Sequence, residues 1–238
     1  MINLTFTNST NSDTFCCPFT FHKLFDIDKE EANRWLHPKE VSFFNTLLER
    51  RKQTFLSGRK VLKQLLISIV PIKAHQIEIG KGIFEQPFIK HPSFQGWECS
   101  IAHSQSHIAS ILFPSDLIIG IDVESNQEEM SAKTKGQITY QEKMLCLAQG
   151  VIDVEIKLWS AKEALSKCLK TGLTIPFTIL EIDSIVEMEN QIEITFKNFP
   201  QYKVSQCIIE GECLSVCYPI QLSLDKKIAP CLHDAILK

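Results

Sequence analysis

Residues 117–124 read Leu-Ile-Ile-Gly-Ile-Asp-Val-Glu, an apolar run ending in two carboxylates at i and i+2. Following the turn signal Pro114-Ser115-Asp116, this run predicts a strand, and the two-residue period of a strand puts Gly120, Asp122 and Glu124 on one face. Carboxylates side by side repel, and a hard cation is one reason to keep them together. Mg²⁺ favours a few carboxylates and leaves its remaining positions to water and phosphate oxygens. A strand running out into solvent, where acids are natural, also explains the pair. Gly120 removes a side chain from the acidic face, where a ligand could approach the backbone.

On the N-terminal side, residues 30–70 read as helical, with His37-Pro38 marking a start and Pro71 a stop. Ahead of them lies a polar start rich in Asn, Ser and Thr. Between Ile77 and Phe113, short apolar runs broken by Gly80, Gly82, Pro87, Pro92 and Gly96 predict strands among loops. On the C-terminal side come a polar segment, 125–137, and helices over 140–149 and 154–170, the second ended by Gly172. Strand patterns then cover 179–186, 191–199, 202–210 and 213–222. The expectation is a mixed α+β protein of two lobes, 1–115 and 116–238, divided at the turn 114–116.

Three further segments carry chemistry. In the helix 154–170, Leu158, Ala161, Leu165 and Leu169 form the apolar stripe, and Trp159, Glu163 and Lys167 share another row. A solvated Glu-to-Lys pair explains Glu163 and Lys167 but leaves the large aromatic Trp159 without a reason on that row. In 99–107, Cys-Ser-Ile-Ala-His-Ser-Gln-Ser-His, a strand delivers His103 into a serine-rich turn. Such a turn suits phosphate, a structural loop histidine explains it too, and His103 and His107 would have metal-binding spacing if they lay on a helix. Between Glu49 and Lys63, six basic residues (Arg50, Arg51, Lys52, Arg59, Lys60, Lys63) face the single acid Glu49. That patch suits an anionic ligand or an acidic protein, or is a solvated helix face.

Composition sets outer limits. The 238 residues are 44% hydrophobic and 22% charged, with a formal net charge of −3, so there is no chain-wide attraction to nucleic acid or to an anionic membrane. Nine cysteines occur with no C-x-x-C spacing, and Cys207, Cys213 and Cys217 sit in apolar, strand-like sequence where cysteine behaves as a small hydrophobe rather than a zinc ligand. The first residues have neither a basic stretch nor a continuous apolar one, and no segment approaches membrane-spanning length. A reduced, cytoplasmic protein is expected.

Taken in order, Gly58-Arg59, His103-Ser104, Gly120-Ile121-Asp122-Val123-Glu124 and Trp159-Ser160-Ala161-Lys162-Glu163 with Lys167 resemble the signature of the 4'-phosphopantetheinyl transferase superfamily. The resemblance spans roughly residues 50–185, and the length is similar to that of the large, two-lobed, surfactin-synthetase-activating type. It implies two similar α/β lobes forming a pseudo-dimer, active as a monomer. It implies transfer of the phosphopantetheine arm of coenzyme A to a serine of an acyl or peptidyl carrier protein. Mg²⁺ would be held by Asp122, Glu124 and Glu163. Glu163 would accept the serine proton, and Lys167 would stabilise the departing 3',5'-ADP. Arg51, Arg59, His103, Ser104 and Lys167 would contact coenzyme A, and the basic stretch 50–63 would help capture the acidic carrier.

Departures from the pattern are Ala102, where the family usually has Ser; Gln86 before Pro87, where Lys is common; and Lys170, where Gly is frequent. Either neighbours such as Ser104 and Lys81 replace the hydroxyl and the charge missing at Ala102 and Gln86, or affinity for coenzyme A is lower. Two rival readings use the same residues: a magnesium-dependent phosphohydrolase and a non-catalytic module binding coenzyme A or the carrier.

Overall fold

The computed structural model describes residues 1–26, 29–125, 134–188 and 191–225. Two five-stranded antiparallel sheets stack face to face, and each carries a long helix on its outer face. The first sheet contains β1 (Ile2–Asn8), β2 (Thr14–Lys23), β5 (Trp97–His103) and β6 (His107–Pro114), with β12 (Leu222–Leu224) at its edge beside β1. The second contains β7 (Gly120–Ser125), β8 (Ile182–Met188), β9 (Gln191–Phe196), β10 (Tyr202–Ile209) and β11 (Glu212–Pro219), in the order β7-β11-β10-β9-β8. A small hairpin, β3 (Glu78–Lys81) with β4 (Pro87–Lys90), stands apart.

The α+β expectation therefore holds, and the two lobes share an architecture. Alternate residues of both sheets meet in one buried layer containing Phe6, Phe19, Ile111, Ile121, Val123, Leu214 and Val216. Outside the first sheet lies α3 (Glu49–Ile69), whose Leu62, Leu65 and Leu66 pack with Cys99 and Leu112. Outside the second lies α5 (Val154–Cys168), with Leu158, Ala161, Ala164 and Leu165 all fully buried against strands that include β9, β10 and β11. Each buried leucine contributes roughly 1.5–3 kcal/mol over an exposed one. Those residues include the predicted stripe, except that Leu169 lies just beyond the helix and is only partly buried.

The helical stretch 30–70 is three helices: α1 (Lys29–Trp35), α2 (Pro38–Thr46) and α3. His37 caps α2 with Pro38 at its first turn, as the sequence predicts, and a second break at Leu47-Leu48, in extended backbone, separates α3. The polar start contains a strand. Its Ile2, Leu4 and Phe6 alternate along β1, while Ser9, Thr10, Asn11 and Ser12 lie in the turn to β2. Strand β7 begins at Gly120 rather than Leu117, and α4 (Tyr140–Ala148) precedes α5. The expected polar segment 125–137 falls largely outside the described residues. Among these residues no helix is long and apolar enough to cross a membrane.

Candidate functional site

Strand β7 divides its residues as its period demands. Ile121 and Val123 enter the layer between the sheets, and Gly120, Asp122 and Glu124 face α5. At that face lies a cleft of about 630 Å³ lined by Asp122, Glu124, Glu163 and Lys167 on one side and by Arg50, Gln53, Thr54 and residues 101–105 on the other. The acids of the strand and the acid of the helix thus meet at one place, as the two motifs require.

Lys167 is at the centre of this cluster. Its Nζ is 2.6 Å from Asp122 Oδ1 and 3.8 Å from Glu163 Oε2. Burial pushes its pKa down, but Asp122, Glu163 and Glu124 outweigh that and hold it above the usual lysine value, so the ammonium stays charged. Asp122 is 2% exposed, and its second oxygen, Oδ2, has no hydrogen-bond partner among the described residues. A buried carboxylate oxygen without a donor is costly unless something cationic comes to it. Trp159 is buried, packs on Phe177 with ring centroids 4.7 Å apart, and donates its indole N–H to Glu124 Oε1 at 3.0 Å. The row Trp159, Glu163, Lys167 therefore closes one side of the acidic face, which accounts for the aromatic.

The three oxygen-donor side chains suit a hard divalent ion in chemistry. Among the described residues no three His, Cys, Asp or Glu side chains stand assembled as metal ligands, and the Lys167 ammonium lies beside Asp122 and Glu163.

A second cleft of about 520 Å³ continues from the first through Arg50, Thr54, Ile101 and His103, and adds Arg51, Arg59 and Lys81. His103 and Arg51 are exposed there. The basic stretch as a whole does not form an outward patch, which corrects the sequence expectation. Lys63 is completely buried, bonded to Glu40 and, at 2.8 Å, to the Trp35 carbonyl. Arg59 is 7% exposed and paired with Glu40 at 2.8 Å, Lys60 is paired with Glu31, and Lys52 with Glu49. Burial pulls Arg59 and Lys63 below their usual values against the opposing pull of Glu40. Arg50 and Arg51 are what remains on the surface.

Other expectations change in the same way. Ser104 lines the cleft, but its Oγ accepts from the Ser106 and His107 amides at 3.2 and 3.0 Å, so it closes the turn. Lys81 is paired with Glu85. His103 and His107 sit at the ends of two paired strands rather than on a helix. His107 is buried, stacked on Phe21, and engages Glu210 and Glu212 at 2.8 and 3.0 Å, which rules out shared helical metal spacing. At Gly120 it is not a ligand that approaches: a Cβ there would overlap the Ala164 carbonyl and the Cys168 amide, so glycine lets α5 lie against β7. Cys207 is in the layer between the sheets while Cys213 and Cys217 face α5, and burial raises the thiols of Cys207 and Cys213 to about 12.

Sequence reasoning did not single out Lys162. It is fully buried, donating to Glu142 at 2.7 Å, to the Gln137 carbonyl at 2.9 Å and to the Phe177 carbonyl at 3.1 Å. The signal available was a lysine one residue from the apolar Ala161, inside the helix's buried arc.

The segment that holds all four of Asp122, Glu124, Glu163 and Lys167 has a family match. Residues 118–217 match the 4'-phosphopantetheinyl transferase superfamily. The match covers the second sheet's acidic strand and α5 and leaves out Arg51, Arg59, His103 and Ser104. The holo-[acyl-carrier-protein] synthase of Mycoplasma capricolum is 28% identical over 92 residues, 38% of this chain and 83% of that protein. The crystal structure of the Thermotoga maritima holo-[acyl-carrier-protein] synthase is similar at 17% identity and a TM-score of 0.36, covering 49% of this chain and 72% of that one.

Proposed function

We propose that this protein transfers the 4'-phosphopantetheine arm of coenzyme A to a serine of an acyl or peptidyl carrier protein, as a two-lobed cytoplasmic monomer with lobes 1–115 and 116–238. The observation that carries the reading is the convergence of Asp122, Glu124 and Glu163 on Lys167, in a cleft whose other wall presents Arg50 and His103. The family match over residues 118–217 and the similarity in sequence to the Mycoplasma capricolum holo-[acyl-carrier-protein] synthase support it.

Asp122, Glu124 and Glu163 would hold Mg²⁺, and the unpartnered Asp122 Oδ2 fits that role. Bound there, Mg²⁺ neutralises pyrophosphate oxygens and makes the phosphorus more electrophilic. Arg50, Arg51 and His103 orient the coenzyme A phosphates along the two connected clefts. Arg59 and Ser104, which the resemblance would give to coenzyme A, support this wall from behind through Glu40 and the 104–107 turn. Glu163 accepts the proton of the carrier serine as its Oγ bonds to phosphorus, and Lys167 offsets the charge on the departing 3',5'-ADP. The bond that breaks is the pyrophosphate P–O bond, so the products are holo carrier and 3',5'-ADP.

Intact-mass measurement of apo carrier proteins incubated with coenzyme A, Mg²⁺ and the protein, beside an Asp122→Asn control, tests the proposal. A phosphopantetheine-sized gain that needs Asp122 is expected. Release of phosphate products without a carrier would indicate a phosphohydrolase instead, and coenzyme A binding with no product would indicate a binding module.

A further inference from the structure

We infer that Lys167 is an exchangeable cation that fills the acidic cluster of the free protein and yields it to a divalent metal only when a diphosphate arrives. The inference rests on the proposed magnesium-dependent reaction and concerns the order in which its components bind. Lys167 Nζ lies 2.6 Å from Asp122 Oδ1 and 3.8 Å from Glu163 Oε2, among the same carboxylates that would ligate the metal. A Mg²⁺ ion takes carboxylate oxygens at roughly 2.0–2.1 Å, so a metal at the unpartnered Asp122 Oδ2 would stand close to the ammonium on Oδ1 of the same carboxylate, and the two positive charges would repel strongly.

The lysine also has somewhere to go. It lines a neighbouring cleft of about 420 Å³, formed with Phe84, Phe88, Trp97, Ile119 and Lys170, as well as the acidic one. Its flexible four-carbon stem places the ammonium at the boundary of the two. A diphosphate in the acidic cleft offers Lys167 new anionic partners, and these draw the ammonium off Asp122 and leave the carboxylate oxygens to the metal. One side chain thereby keeps the acids compensated before the reaction and follows the phosphate charge during it. Metal and coenzyme A bind cooperatively as a result, since each favours the arrangement the other needs.

Calorimetric titration of the full chain with Mg²⁺, or Mn²⁺ followed by its electron paramagnetic resonance signal, reads this without turnover. For the wild type, metal affinity is expected to be weak alone and to rise when inorganic pyrophosphate or coenzyme A is present. Lys167→Met is expected to bind metal roughly tenfold or more tightly in the absence of either, the scale on which a neighbouring charge shifts a carboxylate equilibrium. Lys167→Arg keeps the charge and is expected to retain the weak binding, which separates loss of the cation from misfolding; thermal unfolding of all three proteins checks the fold. Metal binding to Lys167→Met no tighter than to the wild type would overturn the exchange. If Asp122→Asn leaves metal binding in the presence of coenzyme A unchanged, the metal site itself is misassigned, and the proposed function falls with the exchange.

Discussion

Helices α3 and α5 occupy equivalent places on the outer faces of their sheets, and each carries one fully buried lysine. In the first lobe, Lys63 of α3 reaches Glu40, the third residue of α2, whose carboxylate also accepts the His37 amide at 2.8 Å and completes a capping box. In the second, Lys162 of α5 reaches Glu142, the third residue of α4, whose carboxylate accepts the Thr139 amide at 2.8 Å and completes another. The same device therefore fastens a short capped helix to a long one in both halves. The difference lies one residue on: Gln64 follows Lys63, whereas Glu163 follows Lys162 and enters the acidic cleft. Two lobes can share a framework while one alone carries the carboxylate chemistry, because the buried pair fixes the rotation of the helix and the next residue decides what it presents.

The comparison breaks most sharply if one partner of each pair is removed. Glu40→Ala and Glu142→Ala each strand a buried lysine and are expected to lower stability by about 3–5 kcal/mol in urea unfolding, with the double change Lys162→Met/Glu142→Gln recovering most of the loss. The second-lobe changes should also weaken metal binding more than the Glu40 change does, since only α5 bears Glu163. Equal loss of metal binding from the Glu40 change would show that the lobes do not divide the work.

Glycines give the next largest contrast, and its sign differs between the lobes. Gly120→Ala presses a methyl into the α5 backbone and is expected to destabilise by about 1–3 kcal/mol. Gly58→Ala, inside α3, meets Ile101 and Ile108 at ordinary contact distances of 3.5 and 3.6 Å and gains helix propensity, so it is expected to stabilise by about 0.5–1 kcal/mol. Thermal unfolding of the two variants reads both signs.

The smallest effect concerns the link between α2 and the β3–β4 hairpin. Hydrogen bonds from Lys90 and Lys39 lower the Glu78 carboxyl from 4.5 to about 2. Because the folded value is depressed, the stability it contributes is present above about 4.5 and is lost as the pH falls towards about 2. The pair is open to solvent, so salt should diminish it. Lys90→Gln should flatten this limb of the stability curve; an unchanged acid limb would assign it to other carboxylates.

Much of the site was legible because it rests on short periods. Asp122 and Glu124 sit two apart on a strand, and Trp159, Glu163 and Lys167 four apart on a helix, so each row follows from local geometry. What brings the rows together is the packing of α5 on β7, and that depends on Gly120, whose role the sequence suggested only as an opening for a ligand. The basic stretch misled for a related reason. Lys63 and Arg59 look solvated until Glu40, some twenty residues earlier, is known to lie beneath them, and a contact between helices leaves no local signature. Strand β1 was passed over because its turn residues dominate the composition, although Ile2, Leu4 and Phe6 alternate correctly.

Leu222–Leu224 lies beside Ile2–Asn8 at the edge of the first sheet, after the chain has traversed the whole of the second lobe. The second lobe is therefore held as a detour between two strands of the first sheet, β6 and β12, with β1 and β2 standing between them. Severing the chain at the turn 114–116 would yield no two self-sufficient halves, since the N-terminal piece would lose its outermost strand and expose the hydrogen-bonding edge of β1 to chance partners. Such a detour makes the walls of the cleft report on each other: loosening the far strand frees the sheet on which His103 stands.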